Sequence, residues 1–281
     1  MSDRVRTRTP SALKLEFRGV VAVLMATLAV PAFAQAPDAP QLAKKVANPL
    51  SDIVTVPFQF NWIQGVGPNN ETRQVTNVQP VVPVSMGTRW NLIGRVVMPF
   101  ISQPEAVGSA AGVGDTVASG FFSPKATAHG ITWGLGPVAS IPFTADPTLG
   151  TGKWSAGPTG IVMKQQGHLL YGALVNQLWS FANRGDEPRT DVSQMLLQPV
   201  VSYFTGNGVT LTVMSEMTAN WKADAGDRWT IPVTAVVSKI ERIGMLPVSL
   251  QFGGGAYIVS PEGGPSWQVR TGVALILPKG R

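Results

Sequence analysis

The sequence predicts an all-β fold, an antiparallel up-and-down transmembrane β-barrel of about 12 strands, with a range of roughly 10–14. Three observations predict it. The first is a long hairpin late in the chain. Val209, Leu211, Val213, Met217, Ala219 and Trp221 are apolar, and Thr210, Thr212, Glu216, Thr218 and Asn220 alternate with them. After a polar break at 222–227, Trp229, Ile231, Val233, Ala235 and Val237 alternate with Arg228, Thr230, Thr234 and Ser238. Period two gives each strand one oily and one wet face. Both runs exceed the 5–6 residues usual for a globular strand. The hairpin alone would also suit a soluble β-sandwich, so the other two observations decide.

The second observation is that connections alternate in length. Long breaks at 64–71, 102–113, 144–153, 182–190, 222–227 and 260–265 face tight turns at Met86-Gly87, Gln166-Gly167 and 205–208. Long loops on one rim and short turns on the other are the pattern of outer-membrane barrels. The connection 239–247 is the exception. Third, all eight Trp fall near predicted strand ends. Trp62, Trp154, Trp179, Trp221, Trp229 and Trp267 mark the long-loop rim, and Trp90 and Trp133 the other, joined by Tyr171 and Tyr203. Indole prefers the membrane–water interface because one edge is oily and one hydrogen-bonds, so these residues read as an interfacial girdle.

Composition agrees. Charged residues make up 14% of the 281, against about 25% in typical soluble domains. No cysteine is present, which removes disulfides, thiol nucleophiles and thiolate metal sites. Two histidines leave little for an imidazole metal site.

Residues 1–34 read as a secretory signal peptide. Arg4, Arg6, Arg8, Lys14 and Arg18 form a basic start, 19–30 an apolar run, and Ala32-Phe33-Ala34 the small-x-small cleavage pattern. The apolar run is short of the roughly 20 residues that span a bilayer. With the leader set aside, the charge balance is nearly even and no basic run argues for nucleic acid. No later run is long enough for a transmembrane helix. Residues 35–51 form an N-terminal segment, lumenal or periplasmic, with a short helix expected from Gln41 to Ala47 and stopped by Asn48-Pro49.

The barrel is placed at 52–281. Val54, Val56, Phe58, Phe60 and Trp62 alternate with Thr55, Gln59 and Asn61 in the first strand. The second covers 72–85. The third carries Trp90, Leu92, Val96, Met98 and Phe100 opposite Arg89, Asn91 and Arg95. A glycine-rich break is expected at 102–113, followed by strands near 114–123, 131–143, 154–164, 169–181 and 191–204. The alternation is blurred at 154–164 and 169–181. The opening hairpin follows, then strands near 248–259 and 266–277. Prolines at 57, 80, 83, 99, 137, 142, 158, 199 and 232 are awkward in central strands and blur their limits.

The polar faces define a lumen. Its expected lining is Arg73, Asn77, Gln79, Arg89, Asn91, Arg95 and Asp115 from the first four strands, and Glu216, Asn220, Arg228, Gln251, Gln268 and Arg270 from the later ones. Charges there need water or each other. They read as a selectivity lining or as a salt-bridge network closing a plugged barrel. The arginines Arg73, Arg89, Arg95, Arg228 and Arg270 outnumber Asp115 and Glu216, which predicts a weak anion preference.

Several stretches, in order along the chain, resemble a family of bacterial outer-membrane proteins. They include Val56-Pro57-Phe58-Gln59 with Asn61-Trp62, Asn77-Val78-Gln79-Pro80, Trp90-Asn91-Leu92-Ile93, Gly114-Asp115-Thr116, Phe121-Phe122-Ser123-Pro124-Lys125, Trp133-Gly134-Leu135-Gly136-Pro137 and Tyr171-Gly172-Ala173-Leu174. The family is labelled meta-pathway phenol-degradation protein or transporter, and mislabelled neuromedin U. The resemblance implies an outer-membrane barrel with no established catalytic residues. Many such barrels end on Phe or Trp, whereas Leu277 here precedes Pro278-Lys279-Gly280-Arg281.

Other chemistry is weaker. A Ser–His hydrolase would draw on Ser123, Ser180, Ser202 or Ser215 with His129 or His168, but no Gly-x-Ser-x-Gly elbow is present. The glycines at 112–114 and 253–255 lead into no helix and no Gly-Lys-Ser/Thr. Asp224 and Asp227 fit no calcium loop. The reading is therefore no enzyme, with no catalytic, cofactor or metal residues. It is a narrow outer-membrane channel or transporter for small solutes, aromatic or anionic, partnered by outer-membrane lipid and the barrel assembly machinery. The alternatives are a closed structural barrel and a lipid-modifying enzyme.

Overall fold

The computed structural model describes residues 38–104, 109–144, 146–186 and 188–277. The predicted leader at 1–34 and the chain end at 278–281 lie outside the described residues. A helix, α1 (Ala39–Ala47), precedes fifteen strand segments. These are β1 (Val54–Val66), β2 (Glu71–Val78), β3 (Val81–Met86), β4 (Trp90–Pro104), β5 (Ser109–Val113), β6 (Thr116–Pro124), β7 (Ile131–Ile141) and β8 (Lys153–Gln166). Then come β9 (Leu169–Asn183), β10 (Ser193–Phe204), β11 (Val209–Met214), β12 (Met217–Asn220), β13 (Trp229–Ile243), β14 (Leu246–Val259) and β15 (Trp267–Leu277). Every pairing is antiparallel, and β15 closes on β1 from Val54↔Leu277 to Gln64↔Trp267.

The segments make twelve staves, because three staves are interrupted, and backbone chemistry explains each interruption. Between β2 and β3 the register against β4 is unbroken, Val78↔Met98 continuing to Val81↔Arg95, but Pro80 has no N–H to donate. Between β11 and β12 the register against β10 also continues, Met214↔Val200 to Met217↔Leu197. Here Ser215 N donates to the Pro199 carbonyl at 3.1 Å, and Pro199 has no N–H to return. Between β5 and β6 an extra residue is inserted, since Val113↔Phe100 gives way to Val117↔Val97. That bulge sits at Gly114, where a Cβ would lie 2.7 Å from Ile101 Cδ1 and 2.9 Å from the Leu149 carbonyl, so only glycine fits.

The register sorts the side chains. Thr55, Pro57, Gln59 and Asn61 of β1 face the same side as Ile276, Ala274, Gly272 and Arg270 of β15, the inside. Val54, Val56, Phe58, Phe60 and Trp62 face out. Outward apolar residues stay open to the surroundings, as with Leu135 at 60% and Val213 at 53% exposure. This is inverted relative to a soluble protein, and it is what a lipid-facing wall requires. Among the described residues no helix is long and apolar enough to cross a membrane.

Two predicted breaks are corrected. The stretch 102–113 is mostly strand: β4 runs to Pro104 and pairs with β5 from Phe100↔Val113 to Pro104↔Ser109. Its small residues pair as strand despite low intrinsic preference, because β4 offers a free edge. The connection 239–247 is no exception to the short-turn rule. The strands β13 and β14 pair up to Ile243↔Leu246, leaving only Gly244-Met245, with Gly244 at φ 63°. Gly167 does the same for β8–β9 at φ 57°.

Candidate functional site

The lumen is built at three levels. At the short-turn end the inward residues are apolar: Ile93, Phe121, Ile161, Met163, Leu170, Leu174, Phe204, Ile240 and Ile276. They do not face water, because α1 packs against them. Pro40 in the first turn and two lysines in the last, Lys44 and Lys45, suit a helix start and the negative end of its dipole. Asn48-Pro49 ends it, and Asn48 Oδ1 accepts from Leu50 N at 3.0 Å. Ala39 and Ala43 are buried, and their small side chains let the helix lie close to the wall. Polar contacts hold both ends: Asp38 lies 4.0 Å from Arg242, and Asn48 Nδ2 donates to Thr132 Oγ1 at 3.3 Å.

The middle level is a polar layer. Arg270 donates to Glu216 through Nη2 (2.6 Å) and Nη1 (3.4 Å), and to Asn61 Oδ1 through Nε (2.8 Å). Gln198 Nε2 donates to Glu216 Oε1 at 3.4 Å. Gln268 donates to Thr234 Oγ1 (2.9 Å) and accepts from the Tyr257 hydroxyl (3.3 Å). Arg95 stands apart, with one hydrogen bond, to Gln79 Oε1 at 3.0 Å, and no ion pair among the described residues. Arg73 is also inward, opposite Ile63. Gly253 is the register partner of Arg270 and Gly255 that of Gln268, so the long side chains stand beside glycines.

At the long-loop end the connection between β7 and β8 folds into the mouth. Leu149 is buried against Ile101 and Ala110, with Val75 packed on them, and all three line the inner wall. Asp115, at the β5–β6 bulge, accepts from Thr151 N (2.7 Å) and Oγ1 (2.5 Å). Beside it Lys153 Nζ donates to Asp191 Oδ1 at 2.8 Å. This hydrogen bond, and then the lysine's charge, hold the exposed Asp191 carboxyl below the usual carboxylate range. Asp146 is lowered by hydrogen bonds from the Thr148 side chain and backbone.

Two cavities remain beside α1. One, about 190 Å³, lies among Val46, Ile53, Ile161, Met163, Leu174, Val200 and Met214 on its apolar side and Gln79, Arg95 and Gln198 on its polar side. The other, about 160 Å³, is lined by Ala43, Val46 and Ala47 of the helix and by wall residues that include Thr212, Ser238 and Gln251.

Of the predicted lining, Asn77, Gln79, Asn91 and Arg95 face inward with Arg73, as do Glu216, Gln251, Gln268 and Arg270, and Asp115 stands at the mouth. Asn220, the last residue of β12, is in phase with Glu216 at the rim, where its Oδ1 accepts from Lys222 N. Two are corrected. Arg89 lies in the exposed turn between β3 and β4, where its carbonyl accepts from Lys125 N. Arg228 lies outside β13, 5.8 Å from the centroid of the outward Trp221 ring. Alternation carried these two past the strand ends, where it no longer fixes direction. The predicted lining missed Gln59, Asn61, Gln198, Thr234 and Tyr257; Gln59 and Asn61 stand across from Asn77 and Arg270, and Tyr257 is in phase with Gln251 along β14. It also omitted Lys153 and Asp191, whose pairing across loops has no sequence signal.

The girdle tryptophans lie on outward strand positions, except Trp221, which directly follows β12. Trp90 and Trp133 meet edge to face at 6.0 Å on the short-turn rim, and Trp221 and Trp229 at 5.7 Å on the other. Trp62, Trp154, Trp179 and Trp267 are exposed on the outer wall. Among the candidate hydrolase residues, His168 Nδ1 contacts the Phe204 carbonyl at 2.6 Å and Ser202 pairs with Thr212 at 2.8 Å.

No family model matches the chain, and no curated protein matches it. Solved structures do. The COG4313 outer membrane channel from Pseudomonas putida F1 aligns over 80% of this chain and 94% of its own, with 16% identity and a TM-score of 0.61. The NanC porin aligns over 80% and 100%, with 12% identity and a TM-score of 0.51. The fold is that of an outer-membrane β-barrel. At such identities the likeness shows the fold alone. The outright exclusion of catalysis is withdrawn. Outer membrane phospholipase A from Escherichia coli is also similar, over 92% of this chain and 97% of its own, with 14% identity and a TM-score of 0.43. At that score the likeness assigns this chain no activity.

Proposed function

We propose that the barrel resides in the outer membrane, reached by removal of residues 1–34 and insertion by the assembly machinery, and works as a channel for small solutes gated by α1. The observation that carries this reading is the lodging of α1 in the short-turn half of the lumen. A helix that filled a permanently closed barrel would be expected to leave no space. This one leaves two cavities along its flanks and is held at its ends by two polar contacts on half-exposed groups. Such contacts are individually weak. The likeness to an outer-membrane channel and a porin supports the reading, and the resemblance to the phenol-degradation family supports aromatic solutes.

Selectivity follows from the middle layer. Arg73, Arg95 and Arg270 face the lumen there against Glu216, an excess that raises the local anion concentration. The test is planar-bilayer recording of the chain from Gln35 onward beside the same chain lacking residues 35–50. The shortened barrel should conduct well above the complete one, with weak anion preference in a salt gradient. Silence from both would favour a closed structural barrel.

A further inference from the structure

We propose that the larger cavity beside α1 is a binding site for a small apolar monocarboxylate, with Arg95 as the anchor for its carboxylate. The proposal rests on the channel reading and names the solute class that the lumen takes. Three features carry it. Arg95 and Arg270 stand in the same layer but are satisfied unequally. Arg270 has a carboxylate and an amide as partners, whereas Arg95 has one neutral partner, the Gln79 amide oxygen. A guanidinium has five N–H donors, so Arg95 retains donors for a bidentate carboxylate. Glu216, the nearby acid among the described residues, is engaged by Arg270, which offsets its repulsion of a second anion.

The second feature is the opposite wall. Ile161, Met163 and Leu174 are buried and present hydrocarbon and a thioether, with Ile53 and Met214 beside them. A solute held by Arg95 must place an apolar body there, which disfavours sugars and inorganic anions. The third is size. About 190 Å³ is below the roughly 300–1,000 Å³ of sites for drug-sized ligands, so the body is one ring or a short chain.

The experiment uses the whole mature chain folded in micelles, with benzoate as the probe and benzyl alcohol as its uncharged counterpart. Binding is read by ligand-observed NMR against protein-free micelles. Benzoate should bind saturably and more tightly than benzyl alcohol. R95Q, shown to be folded by heat-modifiable gel mobility, should weaken benzoate at least about 10-fold and leave benzyl alcohol nearly unchanged. L174W, which fills the apolar side, should weaken both. If R95Q does not fold, the benzoate preference of the unaltered barrel still tests the anchor. Benzoate no tighter than benzyl alcohol, or benzoate binding unaffected in folded R95Q, would overturn the site. Conductance of the shortened barrel without saturable benzoate binding rejects this site and keeps the channel. Saturable benzoate binding without conductance rejects the channel and keeps the site.

Discussion

Replacing Glu216 by Gln tests the middle layer. Arg270 is almost fully buried, its side chain 4% exposed, and among the described residues Glu216 supplies its carboxylate partner. Removing one partner of a fully buried pair costs about 3–5 kcal/mol, because the remaining charge is left desolvated and unpaired. Two features reduce that here. Glu216 is 34% exposed, so solvent already screens part of the attraction, and Arg270 keeps Asn61 at 2.8 Å. Glu216→Gln should therefore destabilise the folded barrel by about 1–3 kcal/mol. Urea unfolding in micelles, followed by emission of the outward tryptophans, measures it. Glu216→Leu combined with Arg270→Met should recover most of the loss, since an apolar pair leaves no orphaned charge. An unchanged or raised midpoint for Glu216→Gln alone would mean that the pair contributes nothing and that the layer is solvated throughout.

Three further outcomes follow from the wall, the mouth and the leader. Val213→Arg places a charge on the lipid face and should cost roughly 2–4 kcal/mol near the midplane, whereas Thr212→Arg, pointing into the lumen, should be mild; gel mobility that falls equally for both would contradict the facing. The Asp191 carboxyl is lowered on folding by Lys153, so the contact stabilises the loop above the ordinary carboxylate pKa of about 3.9 and is lost as pH falls through the lowered folded value. Hydrogen exchange in 188–192 should therefore step up only in acid, and Lys153→Met should abolish the step. N-terminal sequencing of protein from the membrane fraction should return Gln35; Met1 or Ser2 would refute the leader.

Where the sequence was legible, one face met lipid and the other met polar groups. Val209 to Trp221 shows this best: the register places Leu211 and Val213 out and Thr210 and Thr212 in. Where both faces meet hydrocarbon, the pattern vanishes. The blurred strands near 154–164 and 169–181 carry Ile161, Met163, Leu170 and Leu174 inward against α1, so alternation had nothing to alternate with. The helix itself was readable from its stop at Asn48-Pro49, although it begins at Ala39 rather than at the expected Gln41, but its lodging in the lumen depends on closure of β1 on β15, more than 200 residues apart in pairs such as Asn61↔Arg270. The mouth was equally hidden. Leu149 lies in a loop by every local signal, and only the fold brings it against Ile101 and Ala110.

Accessibility of residue 43 tests the central claim, that α1 occupies the lumen, most directly. The chain has no cysteine, so Ala43→Cys creates a single thiol on the buried face of the helix, where Ala43 is 4% exposed. With the barrel folded in outer-membrane vesicles, a bulky polar maleimide should label this thiol far more slowly than a thiol placed at the exposed Met245 turn, and the two rates should converge after unfolding. Equal rates in the folded barrel would mean that α1 lies outside the lumen, and the gated-channel reading would fall with it.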